Sequence, residues 1–273
     1  MPWAHLRVPP FPQVAVRVMQ LAKGENVQLH TLSDLVSSDP AFASEVLTIA
    51  NSALYSPRFP SRNILQAIAV LGAHNLQGLC LTVGVRAYLG RALNQPSMRA
   101  IWRHELACAL IAEQLGSACG MDKETAYTCG LIHDIGRLAL AVIRPKEYAL
   151  LLATHKGPSS SMLQCERDLF GGDHCETGRR LVADWKLSDE FADIVAGHHS
   201  KPEANEQRGM PFLINVSCRM ADTAGFSAFP GCIVTPFSEL LDEIQDLERE
   251  QFPFEVETLA AEVAAKIAVI ESA

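Results

Sequence analysis

The sequence predicts an all-α protein of two packed helical subdomains, and three observations carry that expectation. Apolar residues recur at three- and four-residue spacing through nearly every patterned segment. Two-residue alternation bounded by hairpin turns is scarce. Helix start and stop signals punctuate the chain, among them Asp39-Pro40, Leu71-Gly72 and Gly120-Met121-Asp122.

Pro10-Phe11-Pro12 reads as an extended lead-in to a first helix whose apolar stripe is Val14, Val18 and Leu21. A short second helix is expected with Thr31 as its cap and Asp34 three residues on. Asp39 caps and Pro40 starts a third helix, running through Val46, Leu47 and Ile49 to Asn51. Ile64 to Leu71 forms a short helix stopped by Gly72, and the apolar run from Leu76 to Leu93 forms a longer one. Gly90 to Ser97, containing Asn94-Gln95-Pro96, is the expected internal boundary.

Beyond it, a long helix holds Trp102, His104 and Ala107 to Leu115 and breaks at Gly120. The helix that Asp122 starts is expected to carry Ala126, Leu131, His133 and Asp134. After Pro145, Ser161 with Gln164 reads as a capping box, Asp173 caps a helix through Leu181, and Ser188 caps one running to His198. Pro202 to Pro211 reads as a polar loop, Phe212 to Ala224 as helix and Gly225 to Pro236 as irregular. Helices around Leu241 and Val263 follow. The expected division is an N-terminal helical subdomain over 1–95, a second over 96–225, and C-terminal helices packing on the module over 226–273.

With 273 residues and 48% hydrophobic content, the chain can bury the core of one large domain or two small ones. A formal net charge of −8 argues against a nucleic-acid partner, because gripping phosphates needs a cationic face. The eight cysteines stand singly, without a CxxC pair, and read as reduced core thiols of a cytoplasmic protein. MPWAHLRVPPFP has no basic start followed by an apolar core, and charges interrupt every long apolar stretch. Neither secretion nor a membrane span is expected.

The candidate chemistry lies in His104, the pair His133-Asp134, His174, the pair His198-His199, and Asp222. Imidazole nitrogen with carboxylate oxygen suits one or two transition-metal ions such as iron, manganese, nickel or zinc, and a carboxylate can bridge two. Ligands converging from several helices are how metal sites in bundle cores are built. The alternative is that these groups hydrogen-bond to one another without a metal. His5, His30, His74 and His155 stand alone and read as structural or exposed. Cys108 and Cys218, each one turn from a candidate, read as core packing. Arg137 is expected either to face a bound phosphate or to form a surface salt bridge.

Asp39-Pro40, Ala50-Asn51-Ser52-Ala53-Leu54-Tyr55, Ala67-Ile68 and Leu71-Gly72 resemble the N-terminal half of the HDOD family, the HD-related output domain of bacterial signalling proteins. Ile101-Trp102-Arg103-His104, Gly130-Leu131-Ile132-His133-Asp134-Ile135-Gly136, Glu166, Gly171-Gly172-Asp173-His174, Trp185 and His198-His199 resemble its HD-superfamily half. The resemblance spans roughly residues 8 to 225. It implies a metal held by His104, His133, Asp134 and Asp222, with Asp134 bridging to a second held by His174, His198 and His199. Asp222 is matched by its helix position alone.

Two departures bear on activity. Ser200-Lys201-Pro202-Glu203 follows the His pair where HD-GYP phosphodiesterases have their GYP segment, and Arg137 stands where the hydrolases commonly have Lys. The resemblance therefore implies an output module acting on a signalling protein partner or a fused input domain, with a metal-dependent phosphohydrolase as the rival. No receiver-like βα pattern is present in the sequence.

Overall fold

The computed structural model describes residues 10–21, 28–200, 209–245 and 247–273. His5 and most of the loop expected from Pro202 lie outside the described residues. Within them the fold is all-α: extended pairing is limited to an isolated parallel bridge between Gly157 and Cys232. Contacts divide the chain into two compact units, one running to Gly90 and including Ala264–Ala273, the other covering Arg91–Val263.

The first unit contains α1 (Gln13–Leu21), α2 (Leu29–Ser37), α3 (Pro40–Ala50), α4 (Ile64–Leu71) and α5 (Ala73–Leu89). Asp39 caps α3 as its sequence position demands, accepting from the backbone N–H groups of Ala41 and Phe42 at 3.1 Å. Thr31 does not cap α2. The cap position falls three residues earlier, at Gln28, which makes no side-chain cap, and Leu32 and Val36 are fully buried on the helix. Burying that stripe rewards a longer helix than the cap signal marks. Asn51 closes the loop after α3, with Nδ2 donating to the Ser61 carbonyl at 2.9 Å and Oδ1 accepting the Ser61 N–H at 2.7 Å. A Cβ on Gly84 of α5 would stand 2.7 Å from that of Ala15, so α1 and α5 meet closely there.

The second unit is built around α6 (Pro96–Ala118), which packs on α7 (Lys123–Ile132) and on the later helix Met210–Ala221. Between them come α8 (Ile135–Ile143), α9 (Pro145–Thr154), α10 (Met162–Phe170), α11 (His174–Asp184) and α12 (Asp189–Gly197). Met210–Ala221 is α13; it runs into a π turn at Asp222–Phe226 and is followed by α14 (Phe237–Asp242), while α15 (Val256–Ser272) belongs to this unit through Val263 and to the first from Ala264. Lys123–Ile143 is long and apolar enough to cross a membrane, yet 83% of its most apolar window is buried inside the fold, as core helices are.

Asp122 and Asp173 cap α7 and α11 through their carboxylates. Ser161 and Ser188 precede α10 and α12 but make no side-chain cap. Ser161 Oγ instead donates to the Pro158 carbonyl at 2.7 Å, and Asp189 and Glu190 place negative charge in the first turn of α12. A larger difference concerns His133 and Asp134. They do not continue one helix: His133 closes α7 and Asp134, at φ −108°, opens α8. The break aims two adjacent side chains into the same space, which a continuous helix resists by turning them about 100° apart.

Gly136, two residues past Asp134, lets α8 touch α11. A Cβ there would stand 1.9 Å from the His174 carbonyl oxygen and 2.5 Å from the Gly178 nitrogen. Overpacking against backbone cannot be relieved by a rotamer change. Gly136→Ala is expected to lower stability by at least about 3 kcal/mol. Gly197→Ala, where a Cβ meets nothing within 4 Å, should be neutral or stabilising by up to about 1 kcal/mol. Thermal unfolding of the two variants side by side checks both, and equal effects would contradict the close approach.

Candidate metal centre

Five segments of the second unit deliver the candidate residues: α6 carries His104, the α7–α8 break His133 and Asp134, the start of α11 His174, the end of α12 His198 and His199, and the π turn Asp222. His133, Asp134, His174 and His198 have no solvent exposure, and His104 has 1%. Burying so many ionisable groups is costly unless they satisfy one another or hold a cation.

Four imidazoles are fixed in the same manner. Nδ1 of His133 lies 2.7 Å from the Gly130 carbonyl, that of His198 3.0 Å from the Val195 carbonyl, and that of His104 3.0 Å from the Phe226 carbonyl. Nδ1 of His174 lies 2.6 Å from Oε2 of Glu166, which also accepts the His174 backbone N–H at 2.8 Å. A carbonyl or carboxylate oxygen only accepts, so each Nδ1 carries the hydrogen and each Nε2 is turned inward. Anchoring one ring nitrogen on an oxygen to aim the other is how metal-binding histidines are oriented.

The inward atoms converge. Asp134 Oδ1 lies 3.1 Å from Nε2 of His174 and 3.3 Å from Nε2 of His198, while His199 Nε2 lies 3.1 Å from that of His174. These are ion-pair separations without hydrogen-bond geometry around Asp134 Oδ1, so that oxygen and the Nε2 atoms of His133 and His198 have no hydrogen-bond partner. One ligand atom from each of Asp134, His174, His198 and His199 fits within 4.8 Å of the others. Buried, unpartnered oxygen and nitrogen atoms pointing at one space fit a transition-metal cation.

The surrounding charge has a definite logic. Burial works against ionisation of Asp134, but the Arg137 guanidinium and the His174 imidazole hold its carboxyl well below the usual carboxylate range. Burial pulls His174 down, yet Glu166, aided by Asp134, outweighs it and raises the ring to about 10. His198 rises to about 9 against its burial, through Cys175 and Asp134. Burial, reinforced by the neighbouring imidazoles, pushes His133 and His199 down.

Arg137 is 1% exposed, with Nε donating to Asp134 Oδ2 at 2.6 Å and Nη1 4.0 Å from Glu166 Oε1. Of its two expected roles it takes the ion pair, buried rather than on the surface. Tyr148 donates its hydroxyl hydrogen to Glu166.

Six of the seven sequence candidates therefore surround one core, while Asp222 approaches it from behind His104. Asp222 Oδ1 is 3.5 Å from His104 Nδ1, and its Oδ2 accepts the Ser159 hydroxyl at 2.8 Å. On the Nε2 side of His104 stands Cys218, with Sγ at 3.5 Å. Glu105, not singled out from the sequence, is fully buried with both carboxylate oxygens unpartnered. Burial, then Asp134, raises its carboxyl well above the usual range. A carboxylate inside the apolar run beside His104 was the available signal.

Residues 8–201 match the HDOD domain family. The chain belongs to that family. An HDOD domain protein with unknown function from Geobacter sulfurreducens superposes with a TM-score of 0.73 at 22% identity, covering 97% of this chain and 92% of that one. A Shewanella amazonensis SB2B structure provisionally named a metal-dependent phosphohydrolase gives a TM-score of 0.67 at 18% identity, covering 96% and 93%. Both likenesses show the HDOD fold. An uncharacterized protein of Treponema pallidum is 25% identical over 206 residues, which are 73% of this chain and 39% of that protein. The chain spans about two fifths or less of the curated relatives it matches.

Because Arg137 is the cation paired with Asp134 in this HDOD core, Arg137→Ala is expected to cost about 3–5 kcal/mol, the penalty for uncompensating a buried charge. Arg137→Lys should retain part of that. Thermal unfolding is the measurement, and a loss under about 1 kcal/mol in Arg137→Ala would show that the pair is dispensable.

Proposed function

We propose that this HDOD domain is a bacterial signal-transduction output module whose pocket holds a transition metal, such as iron, manganese, nickel or zinc, and whose conformation is read by a signalling protein partner. In this reading Asp134, His174, His198 and His199 hold the cation. When bound, it supplies Lewis acidity and neutralises buried negative charge. The chain's own contribution is orientation: Glu166 and the Val195 carbonyl fix the rings of His174 and His198, and Arg137 shares Asp134.

The observation that carries a non-hydrolytic reading is that last contact. With Nε of Arg137 on Oδ2 at 2.6 Å, Oδ1 is the oxygen of Asp134 left to face the imidazoles, and a carboxylate so engaged is poorly placed to clamp two cations as two-metal phosphoryl chemistry requires. The approach to the pocket points the same way. A cleft of about 560 Å³ reaches His198 and His199, lined also by Asp222, Glu239 and Glu243. Its guanidinium, Arg219, is held in a bidentate pair with Glu243 at 2.6 and 2.7 Å. Among the described residues the walls are acidic and the arginine is already paired, which disfavours an anionic phosphate ester.

Phosphohydrolase activity is the second reading, favoured by the same cleft because it opens a path to His198 and His199. Metal-loaded wild type and Asp134→Ala, assayed against cyclic dinucleotides, nucleotides and phosphomonoesters, separate the two. The expected result is turnover far below about 1 per second for both, the lower end of ordinary enzymes. Turnover at or above that value, abolished by Asp134→Ala, would establish the hydrolase instead.

A further inference from the structure

We propose that Cys218 is a thiolate ligand at a second cation position, formed with His104 and His133. The resemblance assigned Asp222 to that position, and the structure offers a different donor. The proposal rests on reading the pocket as a metal centre, and the experiment below distinguishes failure of one from failure of the other.

Three atoms define the position. One ligand atom each from His104, His133 and Cys218 lies within 4.8 Å of the others, and all three residues are buried. The Phe226 carbonyl, 3.0 Å from His104 Nδ1, fixes the hydrogen on that nitrogen and leaves the Nε2 lone pair facing Cys218 Sγ at 3.5 Å. The Gly130 carbonyl does the same for His133, whose Nε2 has no hydrogen-bond partner and no solvent exposure. The two rings are tilted by 52° to each other with centroids 5.4 Å apart. Two imidazole lone pairs and a sulfur enclosing one space form a Cys/His donor set.

Asp222 acts behind this set. It lies on the Nδ1 side of His104, with Oδ1 at 3.5 Å, and its other oxygen is occupied by the Ser159 hydroxyl. The Nδ1 hydrogen of His104 goes to the Phe226 carbonyl, so Asp222 Oδ1, buried without a hydrogen-bond partner, acts on the ring through its charge alone. Cys218 lies on α13 one helical turn before Asp222, which opens the π turn, and the two approach opposite ring nitrogens of His104: Sγ stands at Nε2 and Oδ1 at Nδ1.

Coordination breaks the Cys218 S–H bond as the sulfur–metal bond forms, and the proton passes to bulk buffer. The resulting donor set is softer than the carboxylate and imidazoles around Asp134. It favours zinc, cobalt(II) or iron(II) over manganese. The two positions thus differ in metal preference.

Cobalt(II) added to chelator-stripped protein reads this directly, because a cobalt–thiolate bond gives a near-ultraviolet charge-transfer band that imidazole and carboxylate do not. The band is expected in wild type, Cys108→Ser and Cys175→Ser. It should be lost in Cys218→Ser, with bound cobalt falling by about one ion per chain. Cobalt bound without the band, or a band that survives in Cys218→Ser, overturns the thiolate while leaving the metal pocket intact. Absence of any bound cobalt, zinc, iron or manganese overturns both readings. If Cys218→Ser fails to fold, X-ray absorption on zinc-loaded Cys175→Ser decides: a sulfur shell at about 2.3 Å supports the ligand, and nitrogen and oxygen shells alone exclude it.

Discussion

Asp134 is a fully buried carboxylate, and the second unit is organised around making it tolerable there. An isolated charge in a protein interior costs several kcal/mol, so it persists only with compensation from every side. Arg137 supplies a cation from the next turn of α8, and His174 and His198 present Nε2 atoms from α11 and α12. The helix break at His133 and Asp134 makes the convergence possible. The glycine contact between Gly136 and α11 brings His174 close enough to complete it.

The same economy governs the imidazoles. Nδ1 of His104, His133, His174 and His198 is tied to an oxygen before any ligand arrives, so the cost of orienting those four rings is met during folding. Glu166 shows the logic most fully, because it accepts from the ring and backbone of His174 and from the Tyr148 hydroxyl. The N-terminal motif residues serve architecture instead. Asn51 clamps the Ser61 backbone, and Ser52 Oγ donates to the Ile49 carbonyl at 2.6 Å. Both potential metal-binding groups among the described residues lie in the other unit.

The helical fold was legible because apolar spacing reports burial directly: Ile64–Leu71 and the α3 boundary at Pro40 fall where pattern and caps put them. Aspartate caps proved more legible than hydroxyl caps. Asp39, Asp122 and Asp173 cap their helices, whereas Thr31, Ser161 and Ser188 do not. Serine and threonine have other local partners available, as the Ser161 bond to Pro158 shows. At the site, His133, Asp134, His174, His198 and His199 were legible as residues that motif spacing brings together. Which atom of each faces inward was not, because that depends on carbonyls such as Phe226, distant in sequence from His104. That Cys218 Sγ stands at His104 Nε2 while Asp222 Oδ1 stands at Nδ1 was not legible either, because helical spacing gives a face and not the ring nitrogen a side chain meets.

The arrangement of these groups for a cation, proposed above, is tested most directly by ligand-linked stability. Chelator-stripped protein should unfold at progressively higher temperature as zinc, manganese, nickel or iron(II) is added, because a ligand that binds only the folded state stabilises it by mass action. At a hundredfold excess over the dissociation constant that gain is about 2.7 kcal/mol. Asp134→Ala should weaken the metal response, because it removes the carboxylate from the position formed with His174, His198 and His199. An unfolding temperature that no metal moves in the wild type would contradict the account and leave the His/Asp core as a purely hydrogen-bonded structure.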